Sequence, residues 1–179
     1  MINSGCNIFE LLAIVKKIVV TYNKSMRLEQ KVAKLLKVKQ KTLATAESCS
    51  GGLLGHRITN IPGSSIFYLG GIIAYNNSVK LKSLNVPGGT LKTLGAVSKE
   101  TALAMAKGIR KKFKANYGLS ITGIAGPTGG TKQKPIGLTY VAVATDNGNL
   151  CLEYFFKGTR SEIKQKAATQ ALQLLLEFL

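Results

Sequence analysis

The chain has 179 residues, of which 45% are hydrophobic, and this is enough for one domain with a substantial core. Its formal net charge is +17, yet the arginines are isolated and no aromatic residues accompany the lysine-dense stretch 31–41, so an anionic small molecule is expected rather than nucleic acid. Three scattered cysteines form neither a paired framework nor a CxxC motif, which excludes a disulfide scaffold and favours a cytoplasmic setting.

Residues 1–25 stand apart from the rest of the sequence. Their apolar run is interrupted by Glu10, Lys16 and Lys17, and the first residues lack the positive charge of a signal peptide, so no membrane association is expected. The segment is either an added amphipathic helix or an extension upstream of a start at Met26. We treat 1–25 as an N-terminal extension without an assigned role and predict a single domain over 26–179.

Hydrophobic periodicity and turn residues predict alternating helices and strands. In chain order these are a helix from 26, a strand at 42–46, a helix after a turn at 48–52, one or two strands in 65–75, a short helix before 87–89, a helix capped by Ser98, strands at 117–122, 135–144 and 150–156, and a helix from 159 to 179. This alternation, with one late hairpin turned at 146–148, predicts a three-layer α/β fold with a mixed, mostly parallel sheet.

The segment at 45–52, TAESCSGG, places Ser48 where a strand runs through a tight turn into a helix. Free N–H groups and the helix dipole favour developing negative charge there, so Ser48 is a candidate nucleophile. The alternative is that Ser48 and Ser50 only cap the helix. Cys49 between them is expected to be a buried filler, because no histidine in the local sequence would activate it.

The residue inventory limits the chemistry. There is one histidine, His56, and one aspartate, Asp146, in the hairpin turn, so a Ser-His-Asp triad is not expected, and no convergent set of metal ligands or cofactor motif is found. Lysine or tyrosine remains to activate a serine. Tyr75 at a strand end and Lys80 at a helix start are the candidates, because parallel strands bring their carboxyl ends, with Ser48, to one edge.

Two further features are open to more than one interpretation. The glycine-rich segment 123–130 matches neither a Walker A loop nor a dinucleotide fingerprint, but it could form an anion or oxyanion cradle. Arg160, at a predicted helix start, is a second candidate for holding a phosphate. Glu47 either orients a substrate amide or ribose hydroxyl, or pairs with a lysine.

Several motifs follow one another in a fixed order along 26–179. They are TAESCSGG at 45–52, PGSS at 62–65, GG at 70–71, AYNN at 74–77 followed by Lys80, GAVS at 95–98, TGIAGP at 122–127 and KPIG at 134–137. In this combination the chain resembles the CinA C-terminal domain family. The departures are small: Ser50 stands where threonine is common, and Leu138-Thr139 follows the last motif.

The resemblance implies a three-layer α/β/α fold and hydrolysis of nicotinamide mononucleotide to nicotinate mononucleotide and ammonia, in pyridine-nucleotide recycling. It maps the nucleophile onto Ser48 and its partners onto Tyr75 and Lys80, without a metal or cofactor, and Arg160 would suit the substrate's phosphate. The alternative is a non-catalytic, nucleotide-binding, competence-associated module. We expect a homo-oligomer. The residues expected to bind substrate are Glu47, Ser50, Gly51, Gly52, Thr122, Gly123, Gly126 and Arg160.

Overall fold

The computed structural model describes residues 26–179, so the predicted extension at 1–25 lies outside the described residues. The elements in chain order are α1 (Leu28–Val38), β1 (Leu43–Glu47), α2 (Leu53–Thr59), a 3-10 turn (Ser64–Ile66), β2 (Tyr68–Ile73), α3 (Asn77–Leu84), α4 (Gly88–Thr93), α5 (Lys99–Phe113), β3 (Tyr117–Gly123), β4 (Leu138–Ala144), β5 (Asn149–Phe155) and α6 (Arg160–Leu176). None of these helices is long and apolar enough to cross a membrane.

The five strands form one mixed sheet in the order β2-β1-β3-β4-β5. β1 is parallel to β2 and to β3, whereas β4 is antiparallel to both β3 and β5. The prediction of a mixed sheet is confirmed: the two pairings of β1 are parallel, and the two pairings of β4 are antiparallel. The connection at 124–137 carries no crossover helix, so β4 returns antiparallel to β3, and a tight turn then makes β5 antiparallel to β4.

Helices cover both faces of the sheet, which confirms the predicted three-layer architecture. α5 packs across one face together with α3 and α4, and the apolar cluster on this face includes Met105 and Ile109. α1, α2 and α6 cover the other face, where a larger apolar cluster includes Leu119, Ile121 and Leu172. Burial of these apolar faces on both sides of the sheet is the main source of stability.

Helix caps follow the sequence prediction closely, whereas other boundaries shift. Ser98 accepts a hydrogen bond from the N–H of Thr101, and Thr159 with Glu162 forms the predicted capping box. β4 begins at Leu138 rather than at 135, because Gly137 has φ +92° and donates its N–H to Ile124. α4 was not predicted, since its sequence GGTLKT begins with two poor helix formers.

The parallel strands bring three segments to one edge of the sheet. β1, β2 and β3 all run in the same direction, so the residues that follow them, beginning at Ser48, Ala74 and Ile124, lie together. Backbone bonds fix this edge: Ser48 donates its N–H to Ile121 at 2.9 Å, and Ala74 donates to Glu47 at 2.7 Å. The candidate site is at this edge.

Candidate active site

The turn after β1 is built around the carboxylate of Glu47, which is 2% exposed. Its two oxygens accept hydrogen bonds from the N–H groups of Gly52 at 3.0 Å, Leu54 at 3.1 Å and Gly55 at 2.8 Å. A carboxylate at this position satisfies the otherwise unpaired donors of the first turn of α2 and interacts favourably with the helix dipole. The Glu47 oxygens thus hold the turn together, and the expectation that Glu47 also binds substrate stays a prediction.

The two glycines of the turn serve the backbone conformation. Gly51 has φ +63° and Gly52 has φ +95°, values that residues with a side chain rarely adopt. Their N–H groups donate to the carbonyl of Ser48 at 3.1 Å and to Glu47, so neither donor points to a ligand. Among the amides of the turn, those of Cys49 and Ser50 have no oxygen acceptor within residues 26–179.

The amine of Lys80 lies beside the hydroxyl of Ser48. The distance from Lys80 Nζ to Ser48 Oγ is 3.1 Å, and Nζ also donates to the carbonyls of Ala74 at 2.6 Å and Tyr75 at 3.2 Å. Lys80 is 1% exposed and Ser48 is 8% exposed. The two side chains thus meet in a nearly dry environment, in which electrostatic interactions are strong.

The start of α3 directs Lys80 to this place. Asn76 caps the helix by accepting a hydrogen bond from the N–H of Ser78 at 2.8 Å, so the helix begins at Asn77 and Lys80 lies in its first turn. Side chains in a helix tilt toward its N-terminus, and the lysine stem therefore reaches back to the carbonyls that precede the cap. The amine of Lys80 therefore lies at the sheet edge, although the Cα of Lys80 belongs to α3.

Burial lowers the pKa of Lys80 below its ordinary value of 10.5, because removing the amine from water disfavours the charged form. The positive end of α3 acts in the same direction. A neutral lysine amine has two N–H groups and one lone pair. When the two N–H groups donate to the carbonyls of Ala74 and Tyr75, the lone pair points toward Ser48. In that state the serine hydroxyl donates to the amine, as a general base requires.

Tyr75 and Arg160 form a second pair at the same edge. Arg160 donates to the phenol oxygen of Tyr75 and to the carbonyl of Gly126, both at 2.6 Å. The Tyr75 side chain is bonded to neither Ser48 nor Lys80, and the residue is 58% exposed. The contact with Lys80 is made by the Tyr75 backbone carbonyl, because the side chain turns outward from the strand end. The expectation that the Tyr75 hydroxyl assists Lys80 stays a prediction.

Three other residues that were expected to bind substrate are committed to the fold. The Thr122 hydroxyl donates to the carbonyl of Ala96 at 2.7 Å and is fully buried. Gly123 allows β3 and β4 to approach each other closely, since a Cβ on Gly123 would lie 2.7 Å from the Leu138 carbonyl oxygen. Ser50 is fully buried, and within residues 26–179 its hydroxyl has no hydrogen-bond partner. Substrate binding by these three residues stays a prediction, and Gly126 contributes its carbonyl, which accepts a hydrogen bond from Arg160.

The other candidate nucleophiles and ligands lie outside this arrangement. Burial raises the pKa of the Cys49 thiol to about 12, so it is protonated at neutral pH, as expected for a buried filler. The exposed His56 ring contacts the side-chain amide of Asn60 at 3.2 Å. In the described part of the chain, histidine, cysteine, aspartate and glutamate side chains form no group of three that could hold a metal ion.

A comparison with known protein families shows to which family the chain belongs. The family described as CinA C-terminal domain matches residues 19–179. The chain belongs to the CinA C-terminal domain family. The match begins seven residues before the boundary proposed at residue 26, so the division between extension and domain stays a prediction.

Curated relatives and solved structures agree with this assignment. A putative competence-damage inducible protein of Halothermothrix orenii is 47% identical over 85% of this CinA chain, and a CinA-like protein of Desulfotalea psychrophila is 45% identical over 85%. In each case the chain spans 37% of the relative's length. The crystal structure of competence/damage inducible protein CihA from Agrobacterium tumefaciens has a TM-score of 0.82 and 38% identity, with 84% of this chain and 92% of that chain covered.

Sequence reasoning missed one group of the CinA site, the carbonyl of Ala74, which makes the shortest bond to Lys80 at 2.6 Å. A backbone carbonyl leaves no mark in the residue types. The available signal was positional: Ala74 precedes the predicted cap Asn76, and a lysine four residues after a cap projects back over that segment.

Proposed function

We propose that this CinA domain hydrolyses the carboxamide of nicotinamide mononucleotide to nicotinate mononucleotide and ammonia, with Ser48 as nucleophile and Lys80 as general base. The observation that carries the proposal is the buried Lys80 amine 3.1 Å from the Ser48 hydroxyl, at an edge where parallel strands end. A lysine that is desolvated in this way can accept a proton at neutral pH, and a serine paired with such a base is an activated nucleophile.

In the proposed reaction, the Ser48 oxygen forms a bond to the carboxamide carbon while its proton passes to Lys80. The N–H groups of Cys49 and Ser50 are the proposed donors to the oxyanion, because no oxygen within residues 26–179 accepts from them, whereas Gly51 and Gly52 donate to Ser48 and Glu47. The carbon–nitrogen bond then breaks, and the Lys80 ammonium returns its proton to the departing nitrogen, which leaves as ammonia. Water, deprotonated by Lys80, attacks the resulting ester and releases nicotinate mononucleotide and free Ser48.

Arg160 is proposed to bind the phosphate of the substrate. Its guanidinium is held by Gly126 and Tyr75 and therefore keeps a fixed orientation, with donors to spare for an anion. Tyr75 in this account is a positioning residue for Arg160. The cytoplasmic location and the homo-oligomeric state stay predictions; the free thiols of Cys49 and Cys151 agree with a reducing compartment.

The test is ammonia release by the purified full chain. We expect release from nicotinamide mononucleotide in the presence of EDTA, less from nicotinamide riboside and least from nicotinamide. Release that requires an added metal ion would contradict the proposed chemistry. Absence of release from all three amides would contradict the proposed function.

A second candidate is a non-catalytic module that binds a nucleotide. It is favoured by one observation: the carbonyls of Ala74 and Tyr75 that surround Lys80 Nζ also suit a charged ammonium, which would not act as a base. The printed names of the relatives, competence-damage inducible and CinA-like, name no reaction. Calorimetric binding of nicotinamide mononucleotide without any ammonia release would select this candidate.

A further inference from the structure

A second cation on α6 borders the nucleophile turn. Lys164 lies one helical turn after Arg160, so the two side chains project from the same side of the helix. Lys164 Nζ lies 3.4 Å from the position that a Cβ on Gly51 would occupy, and its Cε lies 3.9 Å from it. The lysine amine therefore lies against Gly51, three residues after Ser48.

Lys164 is half-buried, yet within residues 26–179 its ammonium has no hydrogen-bond acceptor and no carboxylate partner. Its neighbour along the helix differs: the exposed Lys166 donates to the carbonyl of Lys157 at 2.6 Å. Partial removal of an unpaired charge from water carries a free-energy cost, which an anion bound beside the amine would offset. Lys164 is thus an uncommitted cation at the edge of the site.

Neighbouring carboxylates do not neutralise this cation. Glu162, two residues earlier, accepts hydrogen bonds from the N–H and hydroxyl of Thr159 at 2.7 and 2.9 Å. Glu47, beneath the turn, accepts from three backbone amides. Arg160 and Lys164 consequently present positive charge from one side of α6 to the edge that contains Ser48.

We propose that Lys164 is a substrate-binding residue that contacts the phosphate monoester of the substrate jointly with Arg160. The inference rests on the proposed function for the identity of the substrate. Arg160, oriented by Gly126 and Tyr75, supplies directional donors, and Lys164 supplies a charge that no protein group uses. The pair thereby confers a preference for phosphorylated over unphosphorylated amides.

The test compares Lys164→Gln with the matched control Lys166→Gln on the same helix. We expect the KM for nicotinamide mononucleotide to rise about tenfold in Lys164→Gln, the scale of one charge-assisted hydrogen bond, with kcat changed less than about twofold. The KM for nicotinamide riboside should stay the same, Lys164→Arg should restore most of the affinity, and Lys166→Gln should match the wild type. A wild-type KM in Lys164→Gln, or an equal rise for both substrates, overturns the inference.

Calorimetry with ribose 5-phosphate separates this inference from the proposed function. If the wild type releases no ammonia from any amide, the proposed function fails. The binding of ribose 5-phosphate still tests whether Lys164 forms part of a phosphate site. Affinity about tenfold weaker in Lys164→Gln than in Lys166→Gln supports the site. Equal affinities, or no binding by the wild type, overturn it.

Discussion

The guanidinium of Arg160 donates to the phenol oxygen of Tyr75 at 2.6 Å, while the backbone carbonyl of the same tyrosine accepts from Lys80 at 3.2 Å. Tyr75 therefore connects the two halves of the site through different groups. Its main chain orients the proposed base, and its side chain orients the cation proposed to bind phosphate. Substitution of the side chain should separate these two contributions.

Tyr75→Phe removes only the phenol oxygen. Because the carbonyl that contacts Lys80 is retained, we expect kcat to change less than about fivefold, while the KM for nicotinamide mononucleotide rises about threefold as Arg160 loses one hydrogen bond. Steady-state ammonia release measures both constants. If the phenol transferred a proton in the reaction, kcat would instead fall by about 100-fold or more.

The activity should depend on pH through Lys80. Burial favours the neutral amine, so the folded protein releases this proton below pH 10.5, whereas the unfolded chain holds it up to that value. The unfavourable buried charge is therefore present below the folded pKa, and stability increases as the pH rises from the folded pKa toward 10.5. The kcat/KM should increase as the pH approaches the pKa of Lys80 in the folded protein and level off above it, because the amine loses its proton there.

Lys80→Arg provides the control for this pH dependence, because a guanidinium stays protonated throughout the range. We expect the variant to lose activity by about 1,000-fold and to show no rising limb, on the scale of general-base catalysis. Profiles of kcat/KM between about pH 5 and 10 check both points. A rising limb that is unchanged in Lys80→Arg would assign the titration to another group.

Glu47→Gln should destabilise the fold rather than alter only substrate affinity. The substitution removes the charge that accepts three amide bonds and turns an amide N–H toward backbone donors. We expect a loss of about 2 to 3 kcal/mol in the free energy of unfolding. The exposed Glu100 in the first turn of α5 is a suitable control, and Glu100→Gln should change stability by less than about 0.5 kcal/mol. Equal effects of the two substitutions in urea unfolding would contradict the role given to Glu47.

Ser50→Ala should leave stability unchanged or raise it by up to about 1 kcal/mol, because the buried hydroxyl has no partner within residues 26–179. Ser120 is also fully buried, but it donates to the carbonyl of Ala102 at 2.7 Å. Ser120→Ala should therefore cost about 1 to 2 kcal/mol. A larger loss in Ser50→Ala than in Ser120→Ala, measured by urea unfolding, would show that the Ser50 hydroxyl has a favourable interaction.

Patterns local in sequence predicted much of this molecule. The cap residues Ser98 and Thr159 and the hairpin turn interact only with residues nearby in the chain, so the residue types at these positions are enough to predict them. Placing Ser48 and Lys80 at one edge required only the parallel relation of β1 and β2 and the start of α3. Which strand is antiparallel to its neighbours could not be predicted, because the direction of β4 depends on how the chain returns from β3, which residue types do not specify.

At the site, the sequence could not predict the directions of side chains. Glu47 was open to several roles because the geometry of the turn, rather than its composition, brings three amides to its carboxylate. The outward orientation of the Tyr75 phenol depends on Arg160, 85 residues later in the chain. Lys164 carries no local motif and becomes notable only once α6 is packed against the Gly51 turn.

The most direct test of the central claim compares ammonia release from nicotinamide mononucleotide by Ser48→Ala and Ser50→Ala. Both variants lose one hydroxyl from the same turn, but only Ser48 lies beside the Lys80 amine. We predict that Ser48→Ala loses about 1,000-fold or more of the rate while Ser50→Ala stays within about threefold of the wild type. A wild-type rate in Ser48→Ala would contradict the account.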